Sequence, residues 1–177
     1  MIERARLTFG REWREQLECA ARRDAEARGA LESSFYGLNH RHLEGVGRNW
    51  STHPLAQLNN PLGRILHGGE AIVALCERVF TGPVRVQVTF GKIVEYVGAD
   101  HAVFAGRQTG TYAVAGQSRR ALSIRISRYF RYAERWWRQF DDHGSIDDPD
   151  TLRARQDAVP GEAGGMESQG ESGRRSG

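Results

Sequence analysis

The chain has only two cysteines, Cys19 and Cys76, and both fall in helical patterns. So few exclude a disulfide framework; both read as reduced, buried thiols of a reducing compartment. No run approaches the ~20 apolar residues that a membrane span needs. Residues 1–10 lack the apolar stretch of a secretion signal. The expected location is cytoplasmic, with no membrane partner. Lysine is nearly absent: Lys92 stands alone among 25 basic residues, against 22 acidic ones. A net charge of +3 is too mild to make nucleic acid the expected partner. No cluster of cysteines and histidines has structural-zinc spacing, so neither a metal nor another cofactor is expected.

What is present suffices for one α+β domain. With 177 residues, 39% apolar and 27% charged, a single core needs no staple. Trp13, Leu17, Ala20, Leu31, Phe35 and Leu38 recur at helical steps over residues 11–40, with Gly29 as a point where the helix could break. Leu43, Val46 and Trp50 mark a second, short helix that stops before Pro54. Residues 55–59 and 64–67 flank the turn Asn60-Pro61-Leu62-Gly63 and read as a hairpin. Ile72, Leu75, Cys76, Val79 and Phe80 form the apolar stripe of a third helix, ended by Gly82-Pro83.

From Val84 the period becomes two. Val84, Val86, Val88 and Phe90 alternate with polar residues until Gly91 shifts the parity, which predicts a bulge. Residues 101–115, 119–132 and 136–143 read as three more strands of a meander. Asp148-Pro149 opens a last helix, Asp as cap and Pro at the first turn. The expected division is a charged helical extension at 1–28, a domain at 29–159 and a disordered tail at 160–177, where apolar residues give out.

Register predicts neighbours. A loop at Ala133-Glu134-Arg135 sets Tyr129 opposite Gln139, Ser127 opposite Asp141 and Arg125 opposite His143. A hairpin tip at Gly116-Gln117 brings Phe104, Gly106 and Gln108 beside them. One face then gathers Gln108, Arg125, Ser127, Tyr129, Gln139, Asp141 and His143; the other carries Leu122, Ile124, Ile126, Phe130 and Phe140. Two readings follow. Either the polar face is wet and the apolar face is the only core, or helices roof the polar face into a pocket and a second copy of the chain hides the apolar one.

In the pocket reading His143 and Asp141, two apart on a strand, form an acid–base pair. Arg125 holds an anionic oxygen and Tyr129 donates a hydrogen bond to it. His53, which follows the second helix, and Trp50 are further candidate ligand contacts, with packing in the wall of the cone the leading reading for Trp50. The bland alternative is an Arg–Asp–His network that only satisfies itself.

The segments Phe35-Tyr36-Gly37-Leu38-Asn39, Leu43 through Trp50, Gly68-Gly69-Glu70-Ala71-Ile72 and Trp136-Trp137-Arg138-Gln139, with the run His143–Pro149, carry a resemblance. The chain resembles the SnoaL-like, ketosteroid-isomerase-like branch of the nuclear transport factor 2 (NTF2)-like superfamily over roughly residues 29–159. The resemblance implies an α+β cone, with N-terminal helices packed in the concave face of a strongly curved antiparallel sheet. It also implies a ligand inside, a homodimer through the outer sheet face, and Ser127, Tyr129, Gln139, Asp141 and His143 pointing inward. The steroid-isomerase mechanism does not carry over: its proton-shuttling carboxylate would stand near Leu58–Asn60, its oxyanion acid at Ser127 and its tyrosine near Ser34, and all three differ.

The expected function is binding of a small polar or anionic molecule in a conical pocket. One alternative is an isomerase, lyase or hydrolase without redox cofactor, using His143 as general base. The other is a non-catalytic dimerisation or association domain.

Overall fold

The computed structural model describes residues 4–5 and 26–158. Expectations for Cys19, for most of the N-terminal extension and for the tail fall outside the described residues. The elements are β1 (Arg4–Ala5), α1 (Glu26–His40), α2 (Leu43–Asn49), β2 (Gln57–Asn59), β3 (Ile65–His67), α3 (Gly69–Thr81), β4 (Val84–Val97), β5 (His101–Val114), β6 (Arg120–Ala133), β7 (Trp136–Ser145) and α4 (Pro149–Ala158).

All seven strands join one sheet in the order β1-β4-β5-β6-β7-β2-β3. Its pairs are antiparallel except β2, which runs parallel to β7. The four long strands curl around α1, which runs unbroken through Gly29. Ala27, Ala30, Leu31 and Phe35 of α1 join one core with Phe90, Phe104 and Phe130 of the sheet. Each large apolar side chain so buried contributes about 1.5–3 kcal/mol.

The curl has local causes. β4 carries a register shift between Gly91 and Val94, at the glycine where parity was expected to change. Gly110 of β5 lies so close to β4 that a Cβ there would sit 2.0 Å from the carbonyl oxygen of Gln87. Asn39 of α1 meets the outer edge of β4: its amide donates to the Val88 carbonyl at 2.9 Å and accepts the Val88 N–H at 2.9 Å. That occupies edge groups which would otherwise pair with another chain.

At the far end Asp148 caps α4, its carboxylate accepting the Thr151 N–H at 2.8 Å. Gln156 of α4 donates to the Leu62 carbonyl at 3.0 Å, clipping the helix to the β2–β3 turn. No described helix is long and apolar enough to cross a membrane.

Candidate functional site

The cone holds an open cavity of about 620 Å³. Its apolar wall includes Leu38, Val46, Ile72, Leu122, Ile124 and Ile126. The side chains of β6 explain it: Leu122, Ile124, Ile126, Arg128 and Phe130 are buried, while Ser123, Arg125, Ser127 and Arg131 are exposed. Even-numbered residues point inward because burying an apolar row outweighs every alternative for that strand.

This reverses the parity expected for β6 and corrects the pocket built on it. Arg125 faces outward and pairs with Asp147 at 2.6 Å. Ser127 is exposed and Tyr129 half-buried on the outer side, edge-on to Phe140 with ring centroids 6.0 Å apart. Leu122, Ile124 and Ile126, expected to be hidden by a second copy, are interior walls of this chain.

β7 changes parity part-way. Glu134 and Arg135 form a two-residue turn with φ of 53° and 68°, one residue shorter than the loop read from sequence. Phe130 then lies opposite Gln139, but Tyr129 lies opposite Asp141, so Phe140 is an extra residue bulged out of the ladder. Gln139 and Asp142 therefore both face inward, while Asp141 and His143 do not line the cavity. Asp141 accepts from Asn59 Nδ2 at 3.2 Å, and His143 is exposed. His53 is also exposed; its ring rests on Phe140 at 5.3 Å and its Nδ1 accepts the Leu55 N–H at 3.1 Å. Of the expected site residues, the cavity brings together Trp50, Gln108 and Gln139.

The floor of the cavity is a polar network absent from the sequence reading except for its two glutamines. Arg128 is its centre. Its Nε lies 3.2 Å from the Asp142 carboxylate, one Nη donates to Ser34 Oγ and the other reaches Gln108 Oε1 at 3.5 Å. Ser34 donates to Gln139 Oε1 at 3.0 Å, and Gln139 Nε2 donates to Asp142 at 3.0 Å. The guanidinium also stands 4.2 Å from the centre of the Phe35 ring. Arg64, Arg78 and Arg155 line the same cavity from less buried positions.

Burial sets the electrostatics. It lowers the Arg128 pKa against the pull of Asp142. It raises the Asp142 carboxyl above its ordinary value, opposed by Arg128, Gln139 and His143. It also pushes the Cys76 thiol up to about 12, with Asp142 adding to the effect, so this free cysteine on α3 is no nucleophile at neutral pH. Among the described residues no group of three histidine, cysteine or acidic side chains has the geometry of a metal site.

Arg128 and Ser34 carried a readable signal. Arg128 stands in phase with Leu122, Ile124, Ile126 and Phe130, and Ser34 lies on the stripe of Leu31, Phe35 and Leu38. A polar residue in phase with an apolar row is buried with that row. Asp142 gave no such signal, because the bulge at Phe140 is what turns it inward.

No protein-family model matches the chain, and no curated protein matches it. Solved structures do. A ketosteroid isomerase-like protein of Erwinia carotovora atroseptica superposes with a TM-score of 0.59 at 15% identity, covering 76% of this chain and 98% of that one. A Thiobacillus denitrificans protein assigned to the calcium/calmodulin-dependent protein kinase II association domains gives 0.55 at 22% identity, covering 69% and 95%. A cystatin-like-fold protein of unknown function from Nostoc punctiforme gives 0.55 at 15%, covering 71% and 92%. At these identities the likeness is one of fold, and the fold is the NTF2-like α+β cone.

Proposed function

We propose that the chain binds one small molecule inside the cone, its apolar body against the Leu and Ile wall and a hydrogen-bonding group against the polar floor. The observation that carries this reading is the floor itself. Ser34, Gln108, Arg128, Gln139 and Asp142 are each no more than 9% exposed, yet all line an open cavity whose wall is otherwise mostly apolar. A few convergent polar groups in an apolar pocket are what fix a ligand's orientation.

The test is a thermal-shift screen of small acids, alcohols and amides on the wild-type chain and on Ile124→Trp, which fills the cavity. Hits should raise the melting temperature of the wild type alone. Equal shifts in both proteins would place binding elsewhere and end the proposal. His143→Ala and Asp141→Asn should leave the shifts intact, since neither residue lines the cavity.

A second reading rests on Asp142, the one carboxylate among the described residues that line the cavity, whose raised pKa suits general acid–base work. In that case Asp142→Asn keeps ligand binding and loses turnover; unchanged turnover excludes it. A homodimer through the outer sheet face would draw on Tyr129, Phe140 and His53 rather than on the β6 isoleucines, and light scattering of Phe140→Glu tests it.

A further inference from the structure

We infer that the occupant of the cone carries an uncharged group that both accepts and donates hydrogen bonds, a carboxamide, docked between Gln108 and Asp142. This rests on the cavity being a binding site. The polar floor is a chain of hydrogen bonds whose direction is fixed at both ends, because a guanidinium only donates and a carboxylate only accepts. Gln108 therefore turns Oε1 toward Arg128, 3.5 Å from an Nη. Gln139 turns Nε2 toward Asp142 at 3.0 Å, which leaves its Oε1 to accept from Ser34 at 3.0 Å. Ser34 Oγ in turn accepts from Arg128. Flipping either amide would set donor against donor or acceptor against acceptor.

Two atoms are left over. Gln108 is only 5% exposed, yet its Nε2 donates to nothing among the described residues. Gln139 Nε2 and, at 3.2 Å, Arg128 Nε both meet Asp142 at Oδ2; Oδ1 has no partner among the described residues. Neither atom is sealed from solvent, and both residues line the cavity. Gln108 and Asp142 flank one guanidinium, so the free donor and the free acceptor open on the same part of the wall. A ligand that covers them must replace both bonds, since a buried polar group left unmade costs about 1–3 kcal/mol, and more when it is charged. A ketone or ester accepts from Gln108 but gives Asp142 nothing. A carboxylate would stand against Oδ1 or displace Asp142 from Arg128, leaving a buried anion unpaired. A carboxamide serves both: its carbonyl accepts from Gln108 Nε2, and its N–H makes a charge-assisted bond to Asp142 Oδ1.

The test uses three probes that differ only in the group on one carbonyl: octanamide, heptyl methyl ketone and octanoate. Calorimetry at neutral pH should give octanamide at least a roughly tenfold lower Kd than either of the others, a difference of about 1.4 kcal/mol. Gln108→Met, folded by its melting curve, should weaken octanamide and the ketone alike by about tenfold, because both carbonyls lose the same donor. On the wild type, octanamide should also shift the Gln108 side-chain amide signal in nitrogen-edited NMR spectra, a readout that needs no variant. The ketone or octanoate equalling octanamide would overturn the carboxamide and leave the cavity reading standing. Octanamide binding that ignores Gln108→Met, or a Gln108 signal that stays put, would overturn the docking at the floor. If none of the three binds while other compounds still raise the melting temperature of the wild type and not of Ile124→Trp, the carboxamide alone falls. If nothing does, the cavity reading falls and this inference with it.

Discussion

Arg128 shows how one residue can be buried against its own chemistry. The alternation that sinks Leu122, Ile124, Ile126 and Phe130 carries the guanidinium down with them, and Asp142, Ser34 and Gln108 receive it there. Removing one partner of such a pair strands the other, so Arg128→Met should cost about 3–5 kcal/mol in urea unfolding at neutral pH. The double variant Arg128→Met/Asp142→Leu should recover most of that loss; a double variant as unstable as the single one would mean that Arg128 stabilises by packing alone.

The balance between burial and pairing at Asp142 has a sign that titration reads. Burial holds its carboxyl above the ordinary 3.8. The folded state then binds the proton more tightly than the unfolded state, so this group makes stability fall as pH rises from 3.8 to its raised value. Asp142→Asn lacks that dependence. The stability of the wild type relative to Asp142→Asn should therefore grow as pH is lowered through that window. A difference that shrinks instead would mean that the attraction of Arg128 outweighs burial.

At the scale of elements, the legible features were those with a local chemical cause. Gly91 marked the β4 bulge, Asn60-Pro61-Leu62-Gly63 the hairpin turn, and Asp148-Pro149 the start of α4. The β6–β7 connection had no such mark. Two-residue hairpin turns with both central residues at positive φ favour Asn-Gly, and here they hold Glu134-Arg135. The bulge at Phe140 likewise carries no glycine or proline. Two unmarked irregularities in one hairpin are enough to displace every facing pair and swap Asp141 for Asp142 at the cavity. The inward face of β6 was legible from its apolar alternation, Leu122, Ile124 and Ile126 standing in phase with Phe130. Side chains at positive φ carry strain that glycine avoids, so Glu134→Asn/Arg135→Gly should stabilise the fold by about 1 kcal/mol. Denaturant unfolding checks this, and a loss of stability would mean that the long side chains make contacts worth more than the relieved strain.

For the whole molecule, the cavity sets stability against occupancy. Protein interiors pack at roughly 0.75 density, with few voids larger than a water molecule. A space of about 620 Å³ has the liquid volume of some twenty waters. Leu31 and Phe35 of α1 pack with Phe90, Phe104 and Phe130 in a core beside this space, which Ser34 and Leu38 of the same helix line. A larger side chain in a tight core costs about 1–3 kcal/mol, but one that grows into open space meets new contacts instead. Ile124→Trp should therefore melt no lower than the wild type, and filling the space should add about 0.5–2 kcal/mol. Scanning calorimetry without added ligand reads this directly. A fall of several degrees would mean that the walls close on one another in solution and that the cone holds no room for a guest.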